Sequence, residues 1–93
     1  MTSLEKKILI YMFLLSTEPR RDSFRVARHT VSEIAEKVSV DHDMVHKALI
    51  YLYGKWYVGN SSKGIFYIER EGKEQAKILI RSMTDYLSDD SEV

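Results

Sequence analysis

Five side chains, His42, Asp43, His46, Lys47 and Tyr51, recur at intervals that would set them along one side of a single helix. Each can exchange hydrogen bonds with a base edge or a phosphate. A lysine donates to guanine O6 and N7, and an imidazole donates to a base acceptor or a phosphate oxygen. The Asp43 carboxylate accepts from cytosine N4, or else sits at the positive end of its helix. The plainer alternative is a solvated helix face. His42 and His46, four residues apart, also have a spacing that can hold a metal ion, with Asp43 and His29 as further donors. No cysteine and no second ligand pair accompany them, so neither a metal nor any other cofactor is expected.

The helix that carries this face is defined by its other side. Val45, Ala48, Leu49, Leu52 and Trp56 form an apolar stripe expected to face the core, and Asp41 is placed to cap the N-terminus. Ile50 and Gly54 share the polar side, and Met44 flanks it. Upstream, Ile34, Ala35 and Val38 predict a shorter helix with Ser32 as its cap and Glu33 and Glu36 suited to its positive end. Ser39 and Val40 interrupt the pattern without glycine or proline. Downstream, Trp56–Val58 and Ile65–Ile68 are strand-forming runs around a small, polar tip, Gly59 to Gly64, with one lysine. Ser39, Asn60, Ser61, Ser62 and Lys63 thereby join the candidate contacts.

A short helix, tight turn, longer helix and hairpin, in that order from Thr30 to Ile68, resemble the winged-helix transcriptional regulators, in particular the small dimeric group typified by MarR and SlyA. Ser39, Val45, Ala48, Leu49, Leu52 and the passage from Gly54 to Val58 fall where that group has its turn serine, core stripe and helix exit. Ile68 to Glu74 is similar to the group's passage from wing strand to last helix, with a glycine near the helix start. The resemblance covers roughly residues 30 to 80. It implies an α+β fold, a winged helix-turn-helix with a three-helix core, a hairpin wing and terminal helices for dimerisation. It implies a homodimer on double-stranded DNA, with the longer helix in the major groove and the wing on the backbone or minor groove. Length and style are also similar to small DNA-binding proteins of archaea and their viruses.

The flanks bear on dimerisation. Thr2 to Ser16 predicts a helix with a capping box, Thr2 with Glu5, that is apolar on nearly every side from Leu4 to Leu15. Such a helix wants partners on more than one side. Glu71 to Leu87 predicts a last helix with Ala76, Leu79, Ile80, Met83 and Leu87 in its stripe. Leu4, Ile8, Tyr11, Met12, Leu15, Leu79, Met83 and Leu87 are therefore candidates for an interface with a second copy; closure of the subunit's own core is the alternative. Two copies would hold their reading helices roughly 34 Å apart, matched to a palindromic site.

Residues 17–29 form a connector with Arg20, Arg21, Arg25 and Arg28, suited to phosphates or a minor groove or else simply solvated. Val26 to Val31 is a candidate first strand beside the wing. Residues 1–88 are expected to make one domain, followed by an acidic tail at 89–93.

The formal net charge is zero, but it is unevenly spread. Residues 20–64 carry eight basic against five acidic side chains, a net of +3, and residues 65–93 carry four against seven, a net of −3. DNA binding depends on such a local excess, although this one is modest and leaves room for a protein-docking role. Phosphate-cradling glycine loops, serine elbows and metalloprotease helix motifs do not occur, so no enzymatic activity is expected. Four tyrosines, at 51, 53, 57 and 67, are expected mostly at the core's edge. The longest apolar run, Ile8–Leu15, is far short of the roughly 20 residues that span a bilayer. With no signal peptide, a cytoplasmic location (the host's, if viral) is expected.

Overall fold

A computed structural model describes residues 1–16 and 27–91, with side chains described as far as Met83. Its elements run α1 (Ser3–Ser16), β1 (His29–Thr30), α2 (Val31–Val38), α3 (His42–Gly54), β2 (Val58–Ser62), β3 (Ile65–Ile68) and α4 (Arg70–Ser91). The start of α1 is the expected capping box: the Thr2 amide donates to Glu5 Oε1 at 2.7 Å, and the Glu5 amide donates to Thr2 Oγ1 at 3.2 Å.

The core is built from one face of each element. Ile8, Leu9 and Met12 of α1 meet Val31, Ile34 and Val38 of α2 and Val45, Ala48, Leu49 and Leu52 of α3. Val58, Phe66 and Ile68 close it from the sheet, and Ala76 from α4. This corrects two dimer candidates: Ile8 and Met12 are fully buried in their own subunit and have no surface left for a second copy. A helix apolar nearly all round finds its second partner within the chain, because α4 packs along α1.

Helix α2 is capped by Thr30, not Ser32. Thr30 has extended backbone angles and its Oγ1 accepts from the Glu33 amide at 3.0 Å, while Ser32 already lies inside the helix. The strands form one antiparallel sheet in the order β1-β3-β2. His29 pairs with Phe66 and Thr30 with Ile65, so the expected first strand is present but short. The wing differs from expectation in the opposite sense. Strand β2 starts only at Val58 and runs on through Gly59–Ser62, which leaves Lys63 and Gly64 as the turn, with Gly64 at φ 74°. Asn60 makes this possible: its Nδ2 donates to the carbonyls of Ser62 (2.8 Å) and Ile65 (2.9 Å), bracing the irregular register between Asn60 and Ser62. Helix α4 likewise continues past Leu87 to Ser91, into the stretch expected to be a tail.

A small polar cluster ties α1 to α2. Buried His29 lies with Nδ1 2.7 Å from Glu33 Oε2, to which the Tyr11 hydroxyl also donates at 3.3 Å. Burial first, then the Glu33 charge and hydrogen bond, raise the Tyr11 pKa above the ordinary value for a phenol.

Candidate nucleic-acid interface

Both helices of the helix-turn-helix end in the same backbone device. At the end of α2, Ser39 adopts a left-handed conformation (φ 57°); its amide donates to Glu36 O, and the Val40 amide donates to Ala35 O. At the end of α3, Trp56 does the same (φ 66°), its amide donating to Tyr53 O and the Tyr57 amide to Leu52 O. These are Schellman closures, which satisfy the last carbonyls of a helix and usually place glycine at the left-handed position. The pattern break at Ser39 is explained without glycine or proline.

Trp56 corrects the expected stripe. It lies beyond the helix and before the strand, and its side chain is 78% exposed instead of buried. The chain turns out of the helix here because Tyr57 is held from two sides. Its carbonyl accepts from the Glu69 amide at 2.9 Å, and Gly72 packs directly beneath that carbonyl.

Asp41 caps α3 as expected, its carboxylate accepting from the Asp43 amide at 3.2 Å. The buried side of α3 is Val45, Ala48, Leu49 and Leu52. The structure brings His42, Asp43, His46, Lys47 and Tyr51 together on the exposed side, with Met44, Ile50 and Gly54 among them. His42 Nδ1 and Asp43 Oδ1 are 3.9 Å apart, both exposed, an arrangement worth little in water. Lys55 was not among the candidates from sequence; its Nζ lies 5.6 Å from the Tyr51 ring centroid and adds a cation at the far end of this face. Its signal was only its place just after the helix.

The wing supplies Ser61 and Ser62, exposed, and Lys63 at the turn. Asn60 is exposed as well, but both of its amide hydrogens are spent on the hairpin itself. The Gly64 carbonyl accepts from the Val31 amide at 3.1 Å, so the wing turn is tied to the start of α2. Arg28 is exposed at the start of β1. Arg20, Arg21 and Arg25 lie outside the described residues. Of the remaining dimer candidates, Leu4, Tyr11, Leu15 and Leu79 are half-buried, Met83 is exposed, and the side chain of Leu87 lies outside the described residues. Among the described residues no three histidine or acidic side chains gather to hold a metal ion, so His29 does not join His42 and His46. Nor is any described helix long and apolar enough to cross a membrane.

No protein-family profile matches the sequence, and no curated protein matches it either. Solved structures do match in shape. A double-mutant form of ZitR from Lactococcus lactis, in its apo state, superposes with a TM-score of 0.70 over 98% of this chain and 64% of that one, at 20% identity. A second structure of that mutant gives 0.72 over 99% of this chain and 59% of that one, at 19% identity. The architecture is that of a winged helix. The reduced, ferrous CO-sensing protein from R. rubrum is similar over 77% of this chain and 36% of that one, with a TM-score of 0.61 and 18% identity. The chain thus spans less than two thirds of these neighbours' length, and at such identities the likeness establishes the fold alone.

Proposed function

We propose that this chain is a sequence-specific transcriptional regulator that binds double-stranded DNA as a homodimer. Helix α3 enters the major groove, and the wing turn rests on the backbone or minor groove. The observation that carries this reading is the exposed side of α3, where His46 and Lys47 project beside a wing in a fold shared with ZitR and the CO-sensing protein. His46 and Lys47 make the principal base or phosphate contacts, with Tyr51, Lys55 and Lys63 around them. Ser39, His42, Asp43, Asn60, Ser61 and Ser62 orient or border the contact, and Arg20, Arg21, Arg25 and Arg28 supply the phosphate charge that α3 lacks. The second copy docks along the outer edges of α1 and α4, where Ile78 and Met83 are exposed and Leu4, Tyr11, Leu15 and Leu79 are half-buried. The reaction-free, regulatory role is that of a cytoplasmic protein.

Selection from random duplex oligonucleotides with the purified protein tests this. A palindromic consensus whose binding weakens steeply with salt is expected. The absence of duplex binding at low salt would sink the reading. A protein-docking role is the second reading, favoured by Asp41, Asp43 and the exposed apolar Met44 and Ile50 on the same helix. Recovery of a stable protein partner without DNA enrichment would decide for it.

A further inference from the structure

The exposed Trp56 borders an open cleft of about 330 Å³ between the end of α3 and the outer face of the wing. Tyr53, Trp56, Tyr67 and Glu69 are among the side chains that line it. The Tyr67 hydroxyl and the Glu69 carboxylate both lie beside Gly59, and Glu69 raises the Tyr67 pKa. Gly59, paired with Tyr67 across the strands, lets the Tyr67 ring and the Glu69 carboxylate lie close over the backbone at this edge of the cleft. A Cβ there would lie 2.6 Å from Glu69 Oε1 and inside the Tyr67 ring's own volume.

We propose that this cleft binds an organic cation, an alkylated ammonium group, held over the aromatic faces and against the Glu69 carboxylate. Three observations converge on that ligand. Aromatic faces carry negative potential that attracts cations, with tryptophan the strongest of the three types. Among the described residues the one charged side chain lining the cleft is an anion, Glu69, so a cationic guest is complementary and an anionic one is not. Trp56 also occupies a left-handed position that favours glycine, and the residue is 78% exposed. The fold alone gives no reason for a large ring there. Arg28 is the one cation among the described residues whose charge acts on Tyr67. One step beyond the His29–Phe66 pair, the register sets it beside Tyr67 on the side away from Gly59, outside the cleft lining.

The site contains the chain's single tryptophan, so emission excited at the red edge of the absorption band, where the tyrosines do not absorb, reports on it alone. The protein is titrated with tetramethylammonium chloride against sodium chloride of equal ionic strength. In parallel it is titrated with a short peptide bearing trimethyl-lysine, and with 3,3-dimethylbutanol as a neutral mimic. A saturable emission change with either cation is expected, and the neutral mimic should bind at least about tenfold more weakly. Response to both cations assigns the site to the ammonium group itself; response to the peptide alone assigns it to a peptide-borne group. Glu69→Gln and Tyr53→Ala, the latter exposed and outside the core, should each weaken binding by about five- to tenfold while leaving circular dichroism unchanged. No saturable change with either cation overturns the proposal, as does equal affinity for the neutral mimic or full affinity in both variants. DNA binding is not measured here, so the outcome is independent of the regulator reading.

Discussion

The two ends of α3 solve the same problem, leaving a helix without stranding its backbone groups, with different surroundings. At the N-terminal end Asp41 caps its own helix locally, and the face that follows is free to carry hydrogen-bonding side chains. At the C-terminal end a local Schellman closure is also braced from outside. Tyr57 is gripped by the Glu69 amide and by Gly72, and Trp56 is left in a strained, solvent-facing position. The first end looks adaptable to a target, and the second is a fixed corner whose side chain is optional for folding. That difference can be broken at several points.

The largest effect is expected at Gly72. A helical glycine normally costs stability relative to alanine, so Gly72→Ala ought to help. Here the added methyl would press into the Tyr57 carbonyl and reach within 2.9 Å of Ile68 Cγ1, so a loss of about 1–3 kcal/mol is expected instead. Gly54, two residues before Trp56, has nothing within 4 Å of an added Cβ, and Gly54→Ala should gain about 0.5–1 kcal/mol. Paired urea melts of the two variants check this. Equal signs would show that the corner is not clamped as described.

The N-terminal half should behave in the reverse way, sensitive in binding and insensitive in stability. Lys47→Ala is expected to weaken binding to a selected duplex by about 1–3 kcal/mol and to flatten its salt dependence, with an unchanged melting midpoint. A shift in melting together with intact binding would mean that the exposed face serves the fold and not a ligand.

Much of this was legible because it is local. The Asp41 cap, the Val45–Ala48–Leu49–Leu52 stripe, the Thr2–Glu5 box and the short strand beside the wing each depend on residues a few positions apart, and each is present. Trp56 was misread because it continues the spacing of Leu52. The groups that brace the corner after the helix, Glu69 and Gly72, lie more than ten residues away in sequence. Strand β2 was cut short for a related reason: Gly59–Ser62 has little strand preference of its own, and pairing with β3 with the Asn60 amide bonds makes it extended. Ile8 and Met12 were assigned outward because apolar pattern alone cannot say that α4 would cover the second side of α1. At the candidate site, the exposed α3 face was visible and the Lys55–Tyr51 contact was not, since that contact depends on the turn after the helix.

A smaller effect is expected from the strained residue itself. Trp56→Gly relieves a left-handed conformation and should raise stability by about 1 kcal/mol, partly offset by the greater freedom of glycine in the unfolded chain. Ser39→Gly, at the matching position of α2, should gain a similar or smaller amount. If Trp56→Gly lowers the urea midpoint, the ring contributes to folding through contacts, and the corner's side chain is not optional.

The finest distinction concerns Tyr67, beside that corner. Its hydrogen bond to Glu69, then the Glu69 charge, raise its pKa above 10.0, and Arg28 pulls weakly the other way. A phenol bonded to a carboxylate must give up that bond, and gain a repulsion, when it ionises. The stabilisation this lends the folded state is therefore complete below the unfolded pKa near 10 and is lost as pH rises through the higher folded value. Glu69→Gln removes the charge and should return Tyr67 toward the ordinary value, whereas Glu33→Gln should do so for Tyr11 and leave Tyr67 alone. Ultraviolet tyrosinate titration of the two variants separates them. If Glu69→Gln leaves the late-ionising fraction unchanged, the carboxylate is not held against Tyr67, and the corner carries no fixed negative charge at its base.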